Sequence, residues 1–243
     1  MIPLRDANPT RRTPWVTLGI IALNVVVFAF WQGFPVVGPE SQSQVETVFC
    51  YGVIPAEVSD FSPLREVARA CGGKSVLFSI FSSMFLHGSL LHIAGNMLFL
   101  WVFGNNIEDR MGRVAFTIFY LAAGVVAVFA QVLPSPGSQV PLIGASGAIA
   151  GTLGAYLVLY PNARVLTLVP IFFFLQVMQL PAIVVLGFWF VLQAISSFTS
   201  FGGAAAEGGV AYLAHVGGFA FGALVALIFY RGRGRPQTAY LEY

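Results

Sequence analysis

Six long apolar runs, separated by polar and charged segments, dominate this chain. The runs lie at about 15–34, 88–104, 114–133, 144–160, 181–199 and 209–230. Each run is close to the ~20 residues that a helix needs to cross a bilayer. The pattern therefore predicts an all-α membrane protein with one transmembrane domain at 15–230, a polar N-terminal lead at 1–14 and a polar C-terminal tail at 231–243.

The composition supports the same class. Hydrophobic residues make up 57% of the 243 residues and charged residues only 9%, whereas roughly 25% of the residues in an average soluble domain are charged. The formal net charge of +2 gives no reason to expect nucleic-acid binding. We expect an integral membrane protein that contacts membrane lipid and no nucleic acid, with its first apolar run retained as a helix.

The basic residues predict the orientation in the membrane. With the N-terminus inside, nine of the twelve lysines and arginines fall in cytoplasmic segments, as the positive-inside rule favours. Both termini are then cytoplasmic, and the charged segment 105–112 forms a cytoplasmic turn. The apolar segment 165–180 is either a seventh span or an element buried at the cytoplasmic face. We favour the buried element, because a seventh span would move the last three arginines outside.

The long segment between the first two runs forms the predicted first outer loop. Apolar residues recur at helical spacing from Leu64 to Cys71, which predicts an amphipathic helix on the membrane surface. Residues 76–86 are apolar but too short to span, and we expect them to dip into the outer leaflet. Cys50 and Cys71 share this loop and are either bridged or free.

The candidate chemistry centres on Ser146, in the sequence GASG at 144–147. The chain contains three histidines, His87, His92 and His215. His215 lies about 9 Å below the outer surface if its helix rises 1.5 Å per residue from residue 209, and Ser146 lies at a comparable depth. A serine beside a neutral histidine is the nucleophile and base of acyl transfer. The acid nearest to His215 in sequence, Glu207 of the outer loop, is two helical turns away, so we predict a Ser-His dyad.

Small residues predict how the two helices meet. Gly147, Gly151 and Gly154 give the fourth run a small-residue groove, and Gly218 and Gly222 share a helix face with the histidine at 215. Such faces let helices approach closely in a membrane. We therefore expect the fourth and sixth runs to pack together.

His92 and Asn96 are four residues apart and share one helix face. Together with the backbone N–H of Ser146 they are candidate donors for the oxyanion of a tetrahedral intermediate. A zinc protease is the competing interpretation, but no His-Glu-x-x-His sequence is present. We expect no metal and no cofactor.

Three motifs together resemble those of the bacterial rhomboid family of intramembrane serine proteases. They are HGSLLHIAGN at 87–96, GASG at 144–147 and AHVGG at 214–218. The resemblance implies a bundle of six transmembrane helices with a partly embedded first outer loop, located in a bacterial inner (cell) membrane. It also implies cleavage of single-span membrane proteins near the outer face.

The resemblance further implies a role for each candidate residue. Ser146 is the nucleophile, His215 is the base, and His92 and Asn96 surround the oxyanion. The fifth helix and the last outer loop are thought to gate substrate entry in the family, which maps onto Trp189 and 202–209.

Two positions depart from the family pattern. Many relatives carry Trp-Arg where this chain has Phe78-Ser79, and some carry a tyrosine under the catalytic ring where it has Ala150. At the second position, we expect the ring of Tyr212 or Phe219 to take the place of the missing tyrosine. The alternative function is a catalytically silent rhomboid-like membrane chaperone or binding protein. The presence of both the serine and the histidine favours the enzyme.

Overall fold

A computed structural model describes residues 1–32, 42–171, 173–200 and 211–231. For residues 198–200 it describes the backbone only. The helices are α1 (Trp15–Val26), α2 (Gln42–Tyr51), α3 (Pro55–Asp60), α4 (Arg65–Ala70), α5 (Val76–Ser82), α6 (Leu90–Met111), α7 (Arg113–Val132), α8 (Ser146–Leu159), α9 (Ala182–Ser200) and α10 (Tyr212–Phe229). The strands are β1 (Ile2–Asp6), β2 (Arg164–Ile171) and β3 (Phe174–Pro181). A π-helical turn at Val27–Trp31 extends α1, and a 3₁₀ turn at Ser83–Phe85 follows α5.

The six predicted apolar runs coincide with α1 and α6 to α10. Among the described residues, α6, α7 and α10 are long and apolar enough to cross a membrane by length and composition. The apolar helices Trp15–Trp31, Ser146–Leu159 and Ala182–Ser197 are shorter. The fold is mostly helical but not all-α, because it contains three strands. Three of the described helices are candidate spans by this criterion, and the count of six spans stays a prediction.

Helix α8 lies at the centre of the bundle. It contacts α6, α7, α9 and α10, and most of its residues are buried, including Leu153 and Tyr156. A helix that is apolar on every side can be buried on every side, and the small residues of α8 allow four neighbours to approach it. The residue at the start of α8 is therefore held by the rigid core of the protein.

Helices α8 and α10 pack backbone against backbone. A Cβ atom on Gly218 would collide with the carbonyl oxygen of Gly147, and a Cβ atom on Gly222 would collide with that of Gly151. Gly154 is equally close to the backbone of α10. The predicted contact between the two glycine faces is confirmed.

The segment after α8 is a β-hairpin. Strands β2 and β3 pair antiparallel, with Arg164 opposite Pro181, and β1 adds to β2 to give the order β1-β2-β3. The segment is not a seventh span, but the strands were not predicted. On β2, Val165, Thr167 and Val169 are buried while Leu166 and Leu168 between them are partly exposed. The almost continuous apolar composition of 165–180 conceals this alternation.

The N-terminal lead at 1–14 is more than a polar extension of the domain. Asp6 at the end of β1 is buried, and its Oδ2 accepts hydrogen bonds from Asn106 Nδ2 and the Tyr156 hydroxyl, both at 2.7 Å. Burial raises the pKa of Asp6 to about 6, and the hydrogen bond from Tyr156 opposes this rise. Because these partners belong to α6 and α8, the lead packs as part of the domain.

The charged segment 105–112 was wrongly predicted to be a turn. It forms the last turns of α6, and Glu108 is buried there. The Glu108 carboxylate accepts the backbone N–H groups of Val16 at 3.0 Å and Thr17 at 2.7 Å. A carboxylate at a helix N-terminus satisfies free N–H groups and favours the helix dipole. The charge therefore links α6 to the start of α1.

The first loop contains α2 to α5. The stripe from Leu64 to Cys71 is confirmed, because its apolar residues are partly buried while Arg65 and Arg69 are exposed. Cys50 and Cys71 form a disulfide, which decides between the two alternatives.

A buried ion pair anchors the same loop. Lys74 Nζ lies 2.6 Å from Glu57 Oε2 and donates to the carbonyl oxygens of Phe49 at 2.7 Å and Gly52 at 2.9 Å. Burial lowers the pKa of Lys74, and the Glu57 carboxylate opposes this change. The Phe78 ring is largely exposed. The ion pair between Lys74 and Glu57 thus anchors the loop. The family pattern at Phe78-Ser79 did not point to either of these two residues.

Candidate active site

Ser146 is the first residue of α8, and the turn before it requires glycine. Gly144 has a φ of +122°, a conformation that residues with a side chain rarely adopt. A Cβ atom there would lie only 2.9 Å from Nε2 of His92. The N–H of Gly144 donates to the carbonyl oxygen of Ser83 at 2.9 Å, which ties this turn to the first loop. The glycine thus permits His92 to approach the serine.

His215 lies in the first turn of α10 and is buried. Its Nε2 is 2.7 Å from Oγ of Ser146. The close approach of α8 and α10 brings these two side chains together, since their helix backbones touch one turn further along. The structure thus joins two residues that are 69 positions apart in sequence.

Helix α9 completes the surroundings of the histidine. The Trp189 ring lies 5.8 Å from the His215 ring, with 39° between the ring planes. Among the described residues this tryptophan, and not Tyr212 or Phe219, is the aromatic residue against the imidazole. Phe219 instead stacks on Phe190, with the ring centroids 4.5 Å apart. The expectation for Tyr212 and Phe219 was wrong because a ring from a third helix reaches the site.

One residue of the site was not predicted. Oε1 of Gln193 lies 2.7 Å from Nδ1 of His215. Gln193 is one helical turn after Trp189, and the part of α9 that precedes it, residues 182–192, has no polar side chain except the indole N–H of Trp189. A polar side chain in such a helix is a functional candidate by default, and that signal could have identified it.

His92 is held at the start of α6. Ser89 caps this helix by accepting the N–H of His92 at 3.1 Å. The N–H of Gly88 donates to Nδ1 of His92 at 3.4 Å. When Nδ1 accepts, the proton of a neutral imidazole is on Nε2, which is the nitrogen that faces Gly144. His92 can therefore donate a hydrogen bond beside Ser146.

Asn96 is buried one turn below His92. Its Nδ2 has no hydrogen-bond partner among the described residues, which is unusual for a buried donor. An unpaired amide at this position is available to a group that enters the site.

His87 has a different environment. It is fully buried, and its ring meets the His92 ring edge-on at 5.0 Å. The side chain of Gln32 binds the His87 backbone, accepting its N–H at 2.9 Å and donating to its carbonyl oxygen at 3.1 Å. His87 packs behind His92 and is absent from the cavity lining.

The five predicted site residues line one cavity of about 510 Å³. They are Ser146, His215, His92, Asn96 and Trp189. The other lining residues are small, hydroxyl-bearing or apolar, and no charged side chain is present among the described ones. The predicted gate loop at 202–209 lies outside the described residues. The arrangement can activate a hydroxyl group and surround a developing negative charge with hydrogen-bond donors.

The chain belongs to the rhomboid family. The family model described as the Rhomboid domain matches residues 74–232, which contain all the site residues named above.

Three relatives illustrate the range of the family. The chain is 34% identical over 169 residues to the presenilin-associated rhomboid-like protein, mitochondrial, of Bos taurus, a match that covers 68% of this chain and 39% of the relative. It is 31% identical over 150 residues to rhomboid protein 1, mitochondrial, of Saccharomyces cerevisiae, covering 60% and 40%. It is 36% identical over 122 residues to the rhomboid protease GluP of Bacillus subtilis, covering 49% and 22%.

The matched region spans about two fifths of the length of the mitochondrial relatives. The family resemblance is confirmed, and the family includes a protein named as a protease. The bacterial assignment has no support, because several relatives are mitochondrial.

Proposed function

We propose that this chain is an intramembrane serine endopeptidase that cleaves transmembrane segments by a Ser146-His215 dyad. The observation that carries the proposal is the 2.7 Å contact between Ser146 Oγ and His215 Nε2 inside an apolar helix bundle. A hydroxyl and an imidazole at this distance are within reach for direct proton transfer.

In the proposed reaction, His215 Nε2 takes the proton of the Ser146 hydroxyl as the oxygen attacks the substrate carbonyl carbon. The imidazolium then gives that proton to the nitrogen of the leaving amine as the peptide bond breaks. Water, activated by the same nitrogen, hydrolyses the acyl-enzyme and frees the serine. No carboxylate lines the described part of the cavity, so the proposed catalytic unit is a dyad.

The oxyanion of each tetrahedral intermediate requires donors in fixed positions. We assign this role to Asn96 Nδ2, His92 Nε2 and the backbone N–H of Ser146. The first has no partner among the described residues. The last belongs to the first turn of α8, where N–H groups lack intrahelical partners and the helix dipole favours negative charge.

The proposed substrates are single-span membrane proteins. The Trp189 ring on α9 lies 6.5 Å from the Phe99 ring on α6, and both rings line the cavity. The outward side of α9 presents exposed apolar residues such as Ile183, Val191 and Ile195. This surface suits lipid and an apolar substrate helix. We propose that a substrate enters between α6 and α9, with Trp189 at the gate.

The proposed topology has six spans with both termini on the cytoplasmic side. The charge bias of nine to three supports it. The Cys50–Cys71 disulfide supports an outer, oxidising location for the first loop. A reporter that is active only outside the cytoplasm should give no signal when fused to Tyr243. A strong signal would instead require an odd number of spans.

The decisive experiment is co-expression with a tagged library of single-span membrane proteins. Wild type and the control Ser59→Ala, a change at an exposed position of the first loop, should cleave a common set of substrates. Ser146→Ala and His215→Ala should cleave none, and the double variant should be no worse than either single one, because nucleophile and base act as a unit.

Chemical labelling provides an independent check. The purified wild-type protein should react at Ser146 with a fluorophosphonate, and His215→Ala should not. A folded wild-type protein that neither labels nor cleaves would refute the protease and favour the silent chaperone or binding protein.

A further inference from the structure

Gln193 is a polar residue of α9 whose side chain reaches His215. Its neighbours Val191 and Leu192 are exposed on the outer side of the helix, whereas Gln193 is partly buried. Its Oε1 is 2.7 Å from Nδ1 of His215. A partly buried amide between apolar helices is costly unless it has a partner, and here the partner is the proposed base.

The contact bears on where the histidine carries its proton. Nε2 of His215 must be free of a proton to accept one from Ser146, so a neutral imidazole has to carry its proton on Nδ1. The Nδ1–H group then needs an acceptor, and the Gln193 carbonyl oxygen is at hydrogen-bond distance. Without an acceptor there, the ring can place its proton on Nε2 or rotate away from Ser146.

Among the described residues, the other side chains around His215 do not supply this acceptor. The titratable side chain that faces it across the cavity is His92 on α6, and the His87 ring meets the His92 ring edge-on from behind. From α7, Gln131 accepts the N–H of Ala214 at 3.2 Å and so binds the backbone next to the ring. Helix α8 contributes Ser146 itself, and α9 contributes Trp189 beside Gln193.

We infer that Gln193 is a positioning residue, which holds His215 in the tautomer and orientation that serve as a base toward Ser146. The inference rests on the proposed dyad. It has a second consequence, because Trp189 and Gln193 lie one turn apart on the same helix and both touch His215. Movement of α9 away from α10 removes the ring contact and the hydrogen bond together, so the base is correctly oriented only while α9 is in place.

The test measures the rate at which a fluorophosphonate labels Ser146 from about pH 5 to about pH 9, the range in which an imidazole titrates. In Gln193→Met, a side chain of similar length without an acceptor, we expect the rate to fall about 10-fold, the equivalent of one lost hydrogen bond. In Gln193→Glu the acceptor remains and its charge stabilises the imidazolium. Labelling should therefore persist, with its loss at acid pH moved to higher pH.

Gln131→Met is the matched control, because it removes a neighbouring amide that binds the α10 backbone and not the ring. Its labelling rate should fall at acid pH over the same range as that of the wild type. His92 is unchanged in all variants, so its titration does not distinguish them. Wild-type labelling together with an unchanged rate in Gln193→Met would overturn the inference and leave the dyad standing. The inference would also be overturned if Gln193→Glu lost its labelling at the same acid pH as the wild type. This outcome can be read even if the methionine variant fails to fold. Absence of labelling in the wild type would instead refute the proposed function itself.

Discussion

Gly222 of α10 lies against the carbonyl group of Gly151 in α8, so closely that no side chain fits between the two helices. The same interface holds Ser146 and His215 within 2.7 Å of each other one to two turns away. A contact between backbones thus sets the separation of the two candidate catalytic side chains.

The first prediction concerns this interface. Gly222→Ala should force the helices apart and cost about 1–3 kcal/mol, the usual range for overpacking. Cleavage should fall with it, because the dyad distance lengthens. The control is Gly19→Ala in α1, where a Cβ atom meets nothing within 4 Å. Thermal melting in detergent and substrate cleavage measure both effects. Wild-type behaviour of Gly222→Ala would show that the interface is looser than described.

The second prediction concerns the unpaired amide of Asn96. Asn96→Leu keeps a similar shape but cannot donate, and kcat should fall about 10²–10³-fold with a smaller change in KM, as when one oxyanion donor is removed. Asn24→Leu is the control, since Asn24 is a buried amide of α1 that binds the Ile20 carbonyl oxygen. Steady-state kinetics on a cleavable reporter decide the matter. Equal kcat values for Asn96→Leu and wild type would remove Asn96 from the proposed site.

The third prediction concerns the ion pair that anchors the first loop. Lys74→Met leaves the Glu57 carboxylate buried without its partner and should cost about 3–5 kcal/mol. Adding Glu57→Gln removes the uncompensated charge but keeps an acceptor for the Leu64 N–H. The double variant should therefore be more stable than Lys74→Met alone. Arg69→Met, at an exposed cation of the same loop, should change the unfolding free energy little.

The fourth prediction is a pH dependence of stability that arises from Asp6. Burial raises its pKa from 3.8 to about 6, so the folded state holds a proton that the unfolded state releases at lower pH. The stabilisation is complete below about pH 4 and is lost as the pH rises through about 6, with a total on the order of 3 kcal/mol. Asp6→Asn should lack this dependence, whereas Asp60→Asn, at an exposed carboxylate, should retain it. Unfolding measured at about pH 5 and about pH 8 provides the comparison.

The fifth prediction concerns the first-loop disulfide. The chain has two cysteines and both are bonded to each other, so the native protein should resist thiol alkylation until a reductant is added. The variant with serine at both positions should lose about 3 kcal/mol, as expected for a bridge that closes a loop of about 20 residues. Rapid alkylation of the unreduced native protein would contradict the bond.

The positions of the helices were predictable from the chain alone. Apolar runs long enough for a bilayer and the spacing of glycines are local patterns, and α1 and α6 to α10 follow them closely. The residues that line the cavity were also within reach, because polar side chains are rare in such runs and Ser146, His92, Asn96 and His215 stand out. Their roles in catalysis remain predictions for the experiments above.

The tertiary structure decided which side chains from different elements meet. Trp189 and Gln193 reach His215 from α9, and Lys74 meets Glu57 within the first loop. Strand β2 pairs with β1 of the N-terminal lead. None of these contacts follows a repeat along the sequence. Each depends on the length and direction of side chains across an interface, and on hydrogen-bond partners that come together only when the helices have packed.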